Sequence, residues 1–171
     1  MSKGIPGIVI REPVASDAEA LAAYTAALVA EGTGTITLRR APTVEEEAEF
    51  IAKMAAAERA FILLAVEGDR IVGLLDLQAG DREHNRHVGR FGMSVAKDKR
   101  GQGIGRRMLE DMIEKTRGWP GFCRIELEVF PHNVAAIRLY ESAGFELEAR
   151  KRKAVKLEGQ PEDLLLMALT W

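Results

Sequence analysis

The chain has 171 residues, 47% of them hydrophobic and 29% charged, which is the balance of one globular domain extending over residues 1–171. Its 24 basic and 26 acidic residues give a formal net charge of -2, so no overall field favours nucleic acid or an anionic membrane as a partner. A single cysteine excludes an internal disulfide and a cysteine metal cluster.

Cysteine usage and the amino-terminal segment together predict a cytoplasmic protein. A lone cysteine is consistent with a reducing compartment, and the first residues lack the apolar stretch of a signal peptide. No apolar run reaches the roughly 18 residues that a membrane span requires. Cys123 precedes an apolar strand pattern, so we expect it to be a buried packing residue rather than a nucleophile.

The first third of the chain predicts one short strand and two helices. Ile8 and Ile10 favour a strand that Pro13 ends. Each helix begins with a capping-box pattern, in which Ser or Thr is followed three residues later by Glu. The two pairs are Ser16 with Glu19 and Thr43 with Glu46. The polar loop between the helices, Gly32 to Pro42, either lines a substrate site or is a surface loop without function.

Three apolar runs follow, and they predict an antiparallel meander. Phe61 to Val66 and Ile71 to Leu77 are separated by residues 67–70, whose composition is that of a hairpin turn. The third run, His87 to Val95, comes after a polar loop. Short connections of this kind favour antiparallel pairing.

The second half of the chain alternates helices and strands. Gly103 to Arg117 has apolar residues at helical spacing, and residues 125–129 alternate apolar with acidic side chains, as in a half-exposed strand. Asn133 to Ala143 is a shorter helix closed by Gly144, and two strands end the chain. The order of elements predicts an α+β (α/β) fold with one mixed, mostly antiparallel sheet and helices on both faces.

A glycine-rich loop, Arg100 to Gly105, joins the strand that ends at Val95 to the helix that follows. Its alternating glycines let several backbone N–H groups converge on one anion, and the helix N-terminus adds positive potential. Arg106 and Arg107 stand where a Walker loop needs Lys and a hydroxyl, and the third glycine of a dinucleotide fingerprint is absent. We predict a pyrophosphate ligand; the alternative is a flexible loop that caps a helix.

Two motifs together resemble those of the GCN5-related N-acetyltransferase (GNAT) family. The loop has the pattern R-x-x-G-x-G, and residues 133–145 have the pattern N-x-x-A-x-x-x-Y-x-x-x-G-F. The resemblance covers most of the chain and is strongest from His87 onward. It implies a GNAT-like sheet whose fourth and fifth strands splay apart, and it implies acetyl-coenzyme A (acetyl-CoA) as the acyl donor.

The resemblance also implies roles for the residues of these motifs. Main-chain groups of residues 93–95 would pair with the pantetheine arm, residues 100–106 would hold the pyrophosphate, and Asn133 would hydrogen-bond the arm. The alternative for Asn133 is a helix N-cap, and both roles can hold together. The implied cofactor-binding residues are Met93, Ser94, Val95, Arg100, Gly101, Gln102, Gly103, Ile104, Gly105, Arg106, Asn133, Ala136 and Tyr140.

Tyr140 is the implied catalytic residue, because it matches the family tyrosine that protonates the departing CoA thiolate. A phenol with an ordinary pKa of about 10 stays protonated at neutral pH, as this role requires. The alternative is a core tyrosine on an amphipathic helix. A backbone amide near Ser94 or Val95 would polarise the thioester carbonyl.

The general base is not fixed by the sequence. Residues 88–95 of the fourth strand contain no carboxylate, which leaves Asp76, Glu126, Glu128 and water as candidates. We expect each of the three carboxylates to be a solvated strand residue rather than the base.

A cationic loop precedes the fourth strand and contains Arg82, His84, Arg86 and His87. It either receives a substrate carboxylate or is a solvated charged loop. His84 and His132 lie in polar loops, and we predict no metal site because the further ligands that one requires are missing.

The second half of the chain resembles the bacterial branch of the family that acetylates amino acids and related small amines. We predict direct transfer from acetyl-CoA to a primary amine, without an acyl-enzyme because Cys123 has no activating partner. The alternatives are acetylation of a protein N-terminus or lysine, and a non-catalytic acyl-CoA sensor. A homodimer is predicted through the apolar C-terminal strands, whose side chains could instead fill the domain's own core. These residues are Leu164, Leu165, Leu166 and Trp171.

Overall fold

The fold is seen in a computed structural model that describes residues 5–32 and 40–171. The strands are β1 (Ile8–Arg11), β2 (Ala60–Glu67), β3 (Arg70–Ala79), β4 (Val88–Val95), β5 (Arg124–Val129), β6 (Glu146–Leu157) and β7 (Gln160–Thr170). The helices are α1 (Ala18–Ala30), α2 (Val44–Ala56), α3 (Ile104–Arg117) and α4 (Val134–Ser142), with short 3₁₀ turns at Ala15–Asp17 and Lys97–Lys99.

The strands form one sheet in the order β1-β2-β3-β4-β5-β7-β6. The pairs in the first half are antiparallel, so the predicted meander is confirmed, with Gly68 and Asp69 as its two-residue hairpin turn. The β4–β5 pair is parallel, and β7 pairs antiparallel with both β5 and β6. The predicted mixed, mostly antiparallel sheet is therefore confirmed.

The β4–β5 pair opens partway along its length. The two strands pair from Val88 with Arg124 to Arg90 with Glu126, and no pairing follows although β4 continues to Val95 and β5 to Val129. The splayed strand pair that the family resemblance implied is confirmed. Beyond Arg90, the backbone groups of β4 that point toward β5 are open to another partner.

Helices cover both faces of the sheet, as predicted. A Cβ built on Gly73 would lie 3.0 Å from the Met108 sulfur of α3, which places α3 on that face. Leu74 points to the opposite face, where it shares a cavity wall with Thr25 of α1. Helix α2 packs beside α1. Helix α4 lies next to α3, on the face of the sheet that α3 covers.

Helix starts agree with the sequence in α2 and not in α1. The Thr43 hydroxyl accepts from the Glu46 N–H at 3.2 Å and the Glu46 carboxylate accepts from the Thr43 N–H at 2.8 Å, so this capping box is confirmed. The box predicted at Ser16 is wrong, because a 3₁₀ turn precedes α1. There the Asp17 carboxylate accepts the Val14 N–H at 2.7 Å and two bonds from the Arg11 guanidinium.

Cys123 is exposed, so the prediction of a buried packing residue is wrong. It lies one residue before β5, and Phe122 fills the core position at this end of the sheet instead. The Phe122 ring occupies the space that a side chain at Gly89 would need, 2.7 Å from its ideal Cβ. No helix in the described ranges is long and apolar enough to cross a membrane.

Candidate active site

A cavity of about 970 Å³ opens where β4 and β5 separate. Helices α1 and α2 form one wall, the ends of β3, β4 and β5 form the floor, and the β6–β7 hairpin closes the far side. This volume lies at the upper end of the range that is typical of small-molecule binding sites. Of the predicted site residues, Met93, Ser94, Asn133 and Tyr140 line it. The structure thus brings residues of the second motif together with the open end of β4, whereas residues 100–106 of the first motif do not line the cavity.

The glycine-rich loop lies beyond the cavity, between the end of β4 and the start of α3. Gly101 and Gly103 have φ values of +75° and +86°, and no heavy atom lies within 4 Å of a Cβ built on either. The bond from the Arg107 N–H to the Gly103 carbonyl belongs to the first turn of α3, so the amide groups before it have no partner inside the helix. Open space, free amides and a helix N-terminus together fit an anion.

The side chains of this loop support the backbone rather than point at a ligand. Arg100 donates to the Val95 carbonyl at 2.9 Å and to the Glu31 carboxylate at 2.7 Å, which fixes the loop to β4 and α1. Gln102 donates to the Asp98 carbonyl at 3.0 Å. The loop is therefore held in shape by its own polar groups, and its main chain is left for recognition.

The first turn of α3 packs closely against α4. Ile104 is buried, and a Cβ on Gly105 would lie 3.1 Å from the Leu139 side chain. Arg106 donates to the Ser142 hydroxyl at 2.8 Å. Gly105 therefore serves close helix packing, whereas Gly101 and Gly103 leave open space.

Asn133 is the N-cap of α4. Its side-chain oxygen accepts the Ala136 N–H at 3.3 Å, so the capping role is observed. Asn133 also lines the cavity, where its side-chain amide can meet a ligand. Ala136 supplies the capped amide and packs against the hydrophobic core.

Tyr140 of α4 is 6% exposed and lines the cavity. Its ring lies edge-on to Phe91 at 5.8 Å and tilted to Phe145 at 6.0 Å. Burial raises the pKa of its phenol to about 12, and among the described residues no hydrogen-bond partner contributes to this shift. The phenol is therefore protonated at neutral pH and available as a proton donor to whatever occupies the cavity.

Tyr24 of α1 reaches the same end of β4, which sequence analysis missed. Its hydroxyl and the Ser94 hydroxyl are 3.0 Å apart. Burial raises the pKa of Tyr24 to about 12, against the opposing effect of this hydrogen bond. Tyr24 lies at helical spacing from Leu21 and Leu28, which by itself indicates only a core residue, and no local pattern relates it to a strand 70 positions away.

Asp76 of β3 lies on the cavity floor and is largely buried, so the expectation of a solvated strand residue is wrong. Burial raises the pKa of its carboxyl to about 6. The facing residue on β4 is Gly92, whose missing side chain leaves the carboxylate accessible from the cavity. A carboxyl with this pKa changes charge close to neutral pH.

Glu126 of β5 is also buried, which corrects the same expectation for this residue. Its carboxylate accepts from Arg90 at 2.6 Å and from Arg124 at 2.9 Å. Burial opposes its charge, but the two guanidinium groups together hold its pKa below the usual value. Glu128 is exposed as expected, although it borders the cavity and pairs with Lys151 at 2.6 Å.

The described end of the Gly32 to Pro42 loop borders the cavity through Arg40 and Pro42, which supports the substrate-site alternative. Arg40 donates through both terminal nitrogens to Glu46, at 2.7 and 2.6 Å. Residues 33–39 of the loop lie outside the described residues. Nearby, the Glu47 carboxylate accepts from the Thr25 hydroxyl at 2.8 Å, and burial raises its pKa.

The cationic loop before β4 does not border the cavity, which favours the alternative of a solvated charged loop over that of a carboxylate receptor. It lies at the Val88 end of β4, whereas the cavity opens at the other end. Arg86 of this loop pairs with Glu58 at 3.1 Å. In the part of the chain that the structure describes, no cluster of His, Cys, Asp and Glu could hold a metal ion.

The apolar C-terminal residues mostly pack within the chain itself. Leu164 is buried, Leu165 packs against the core, and Leu166 lines the cavity. Trp171 contacts Phe122, with ring centroids 5.8 Å apart. The argument for a homodimer is therefore weaker than the sequence indicated, and the dimer stays a prediction.

The chain is similar to known proteins in both sequence and structure. A family model described as the acetyltransferase (GNAT) family matches residues 31–145. L-amino acid N-acetyltransferase AaaT of Escherichia coli (strain K12) is 33% identical over 107 residues, which are 63% of this chain and 65% of that protein. The ribosomal protein bS18-alanine N-acetyltransferase of the same strain is 38% identical over 79 residues, 46% of this chain and 53% of that protein. The chain thus matches less than two thirds of the length of either relative.

A solved structure extends the likeness over nearly the whole chain. The protein yncA of Salmonella typhimurium, solved with its cofactor acetyl-CoA, superposes with a TM-score of 0.84. The alignment covers 96% of this chain and 94% of that one at 21% sequence identity. At this identity the comparison establishes a shared fold.

Proposed function

Because the chain belongs to the acetyltransferase (GNAT) family, we propose that it transfers an acetyl group from acetyl-CoA to the primary amine of an amino acid or a related small metabolite. The chief support is that Tyr140, a buried phenol with a pKa of about 12, lines the same cavity as the open end of β4. Acetyl-CoA is the donor that the family uses. The proposed site of action is the cytoplasm.

The residues present fit acetyl-CoA. The open space at Gly101 and Gly103 and the free amides that follow suit a pyrophosphate, for which residues 100–106 would supply N–H donors. At Met93, Ser94 and Val95 the edge of β4 that faces β5 has no partner strand, and its backbone groups would pair with the pantetheine amides as a strand does. Asn133 and Ala136 at the start of α4 would face the same arm.

Acetyl-CoA supplies an acetyl thioester, whose carbonyl carbon bonds to the acceptor nitrogen as its bond to sulfur breaks. The amine loses a proton in this exchange and the sulfur gains one. Tyr140 is the proposed proton donor to sulfur, because its phenol is protonated at neutral pH and opens on the cavity. The backbone N–H near Ser94 or Val95 would stabilise negative charge on the carbonyl oxygen.

Asp76 is the proposed base. Of the three carboxylates that the sequence offered, Glu126 has both oxygens bound by guanidinium groups and a lowered pKa, so it is a weak proton acceptor, and Glu128 pairs with Lys151. Asp76 has no cationic partner within the described residues, and its pKa of about 6 lies close to the working pH of a general base. It would accept the proton that the amine must lose.

The test is steady-state release of free thiol from acetyl-CoA with a panel of amines. The panel contains L-amino acids, diamines, and peptides that begin with alanine, the last because one relative is named for a protein alanine. The proposal predicts turnover with small amines above that with peptides. Turnover confined to peptides would favour a protein acetyltransferase, and acetyl-CoA binding without thiol release would favour a sensor.

The proposed homodimer has a separate test. Light scattering at tens of micromolar protein would give twice the mass of the 18.8 kDa chain if the dimer forms. A monomer at that concentration would remove the dimer from the account without affecting the chemistry.

A further inference from the structure

Arg90 of β4 is a cationic side chain on the cavity wall to which the mechanism above gives no role. We propose that it binds the α-carboxylate of the acceptor. The acceptors would then be free α-amino acids, because the first residue of a protein has its carboxyl carbon in a peptide bond and presents no such charge. This inference rests on the proposed acetyl transfer and narrows its acceptor.

Among the described residues, two cationic side chains, Arg40 and Arg90, line the cavity. They differ in how many of their N–H donors are already bound to a carboxylate. Arg40 uses both terminal nitrogens on the Glu46 carboxylate. Arg90 donates to Glu126 through Nε, at 2.6 Å, and its side chain is 80% exposed. Its two terminal nitrogens have no partner among residues 5–32 and 40–171, and this flat pair of donors matches the two oxygens of a carboxylate.

Glu126 holds Arg90 in place before any ligand arrives. The Glu126 side chain is only 10% exposed, and its second oxygen accepts from Arg124, which also pairs with Glu148 at 2.6 Å. A buried carboxylate anchored on both sides restricts the motion of the Arg90 side chain. Less conformational freedom is then lost when Arg90 binds a carboxylate.

The strand register places Arg90 at a suitable distance from the proposed base. Arg90, Gly92 and Ser94 point to the same face of β4, and Gly92 pairs directly with Asp76 of β3. Arg90 is thus one diagonal step from Asp76, a separation of roughly 7–8 Å between Cα atoms. The Asp76 carboxylate lies over Gly92, with one oxygen 3.1 Å from where a Cβ would be, so no side chain of residue 92 separates it from Arg90.

An α-amino acid fits this arrangement because its amine and its carboxylate are attached to one carbon. With the carboxylate on Arg90, the amine would lie on the side of Asp76 and Ser94. The distance from Arg90 to Ser94 along the strand is roughly 13 Å, at about 3.3 Å per residue. The amine is therefore directed toward the open end of β4, where the acetyl group would arrive.

The experiment compares each L-amino acid with its own α-carboxamide, which keeps the side chain and the amine and removes the carboxylate. The quantity measured is the ratio of kcat/KM for acid over amide, for wild-type protein, Arg90→Gln and the control Arg86→Gln. Arg86 is an exposed arginine of the loop before β4 and does not border the cavity. Comparing ratios between proteins cancels the difference in basicity between the two amines.

The proposal predicts that Arg90→Gln lowers the ratio by about 10- to 100-fold, the usual effect of a charge-assisted hydrogen bond, through a higher KM for the acid. Arg90→Lys should restore part of the ratio, and Arg86→Gln should leave it at the wild-type value. An equal ratio in wild type and Arg90→Gln, with amides accepted as readily as acids, would overturn the role of Arg90 while the acetyltransferase function stands. Absence of turnover with every amine would instead reject the proposed function.

Discussion

Asp76 on β3 faces Gly92 on β4, and a Cβ at position 92 would lie 3.1 Å from the Asp76 carboxylate oxygen. The carboxylate therefore has a glycine rather than a side chain across from it. It is largely buried, yet it borders the cavity. Burial, with no cationic partner among the described residues, accounts for its raised pKa. The missing side chain at Gly92 leaves space for the carboxylate itself beside the cavity.

The first prediction concerns the stability of the protein as a function of pH. The folded pKa of Asp76, about 6, lies above its ordinary 3.8, so folding favours the neutral acid. The contribution of Asp76 to the free energy of unfolding is then fully present below about pH 4 and is lost as the pH rises through 6. Asp76→Asn removes this loss, and at pH 7.5 it should be more stable than wild type by up to about 3 kcal/mol, with little difference at pH 3.5.

Urea unfolding at both pH values is the measurement, with exposed Asp81→Asn as the control that should behave like wild type. The same Asp76→Asn protein should lose turnover, since it lacks the base. A stability difference that is independent of pH would show that folding does not favour the protonated form of the Asp76 carboxyl.

The second prediction concerns the glycine-rich loop. Gly103→Asp adds a side chain and a negative charge where the pyrophosphate would approach, so acetyl-CoA should bind at least about tenfold more weakly. Gly121→Asp is the matched control, because Gly121 also has a positive φ, +69°, with no atom within 4 Å of its Cβ. It introduces the same backbone strain beyond the far end of α3.

Isothermal titration of acetyl-CoA into both folded variants separates charge from strain. Equal affinities for Gly103→Asp and Gly121→Asp would place the cofactor's phosphates elsewhere.

The third prediction concerns the contact between Tyr24 and Ser94, whose hydroxyl groups are 3.0 Å apart. The single variants Tyr24→Phe and Ser94→Ala should each lower the free energy of unfolding by about 1 kcal/mol. The double variant should lose less than the sum, with a coupling of about 0.5–1.5 kcal/mol. Denaturant unfolding of the four proteins measures it, and strict additivity would mean that the hydrogen bond does not contribute to stability.

Local patterns predicted the fold well and the site only in part. Alternating apolar residues and a turn predicted the meander, and the glycines at 101 and 103 predicted an open loop before α3, because these features depend on neighbouring residues. The burial of Asp76 and Glu126 could not be predicted from their own strands. It depends on α1, α2 and the guanidinium groups of Arg90 and Arg124, which the fold brings together from distant segments.

The errors at Ser16 and Cys123 have a similar origin. The Asp17 carboxylate accepts the Val14 N–H, and a 3₁₀ turn at Ala15–Asp17 forms before α1 begins. The spacing of Ser16 and Glu19 does not exclude this alternative start of the helix. Cys123 continues an apolar pattern, but the sheet ends there and Phe122 takes the core position.

The most direct test of acetyl transfer with Tyr140 as proton donor is kcat of Tyr140→Phe with an accepted amine, measured beside its melting temperature. Phe keeps the contacts with Phe91 and Phe145 and removes only the hydroxyl, so the melting temperature should be unchanged. The account predicts a kcat lower by about 10- to 1000-fold, the usual contribution of general acid catalysis. A wild-type kcat in this variant, under conditions where the chemical step limits turnover, would contradict it.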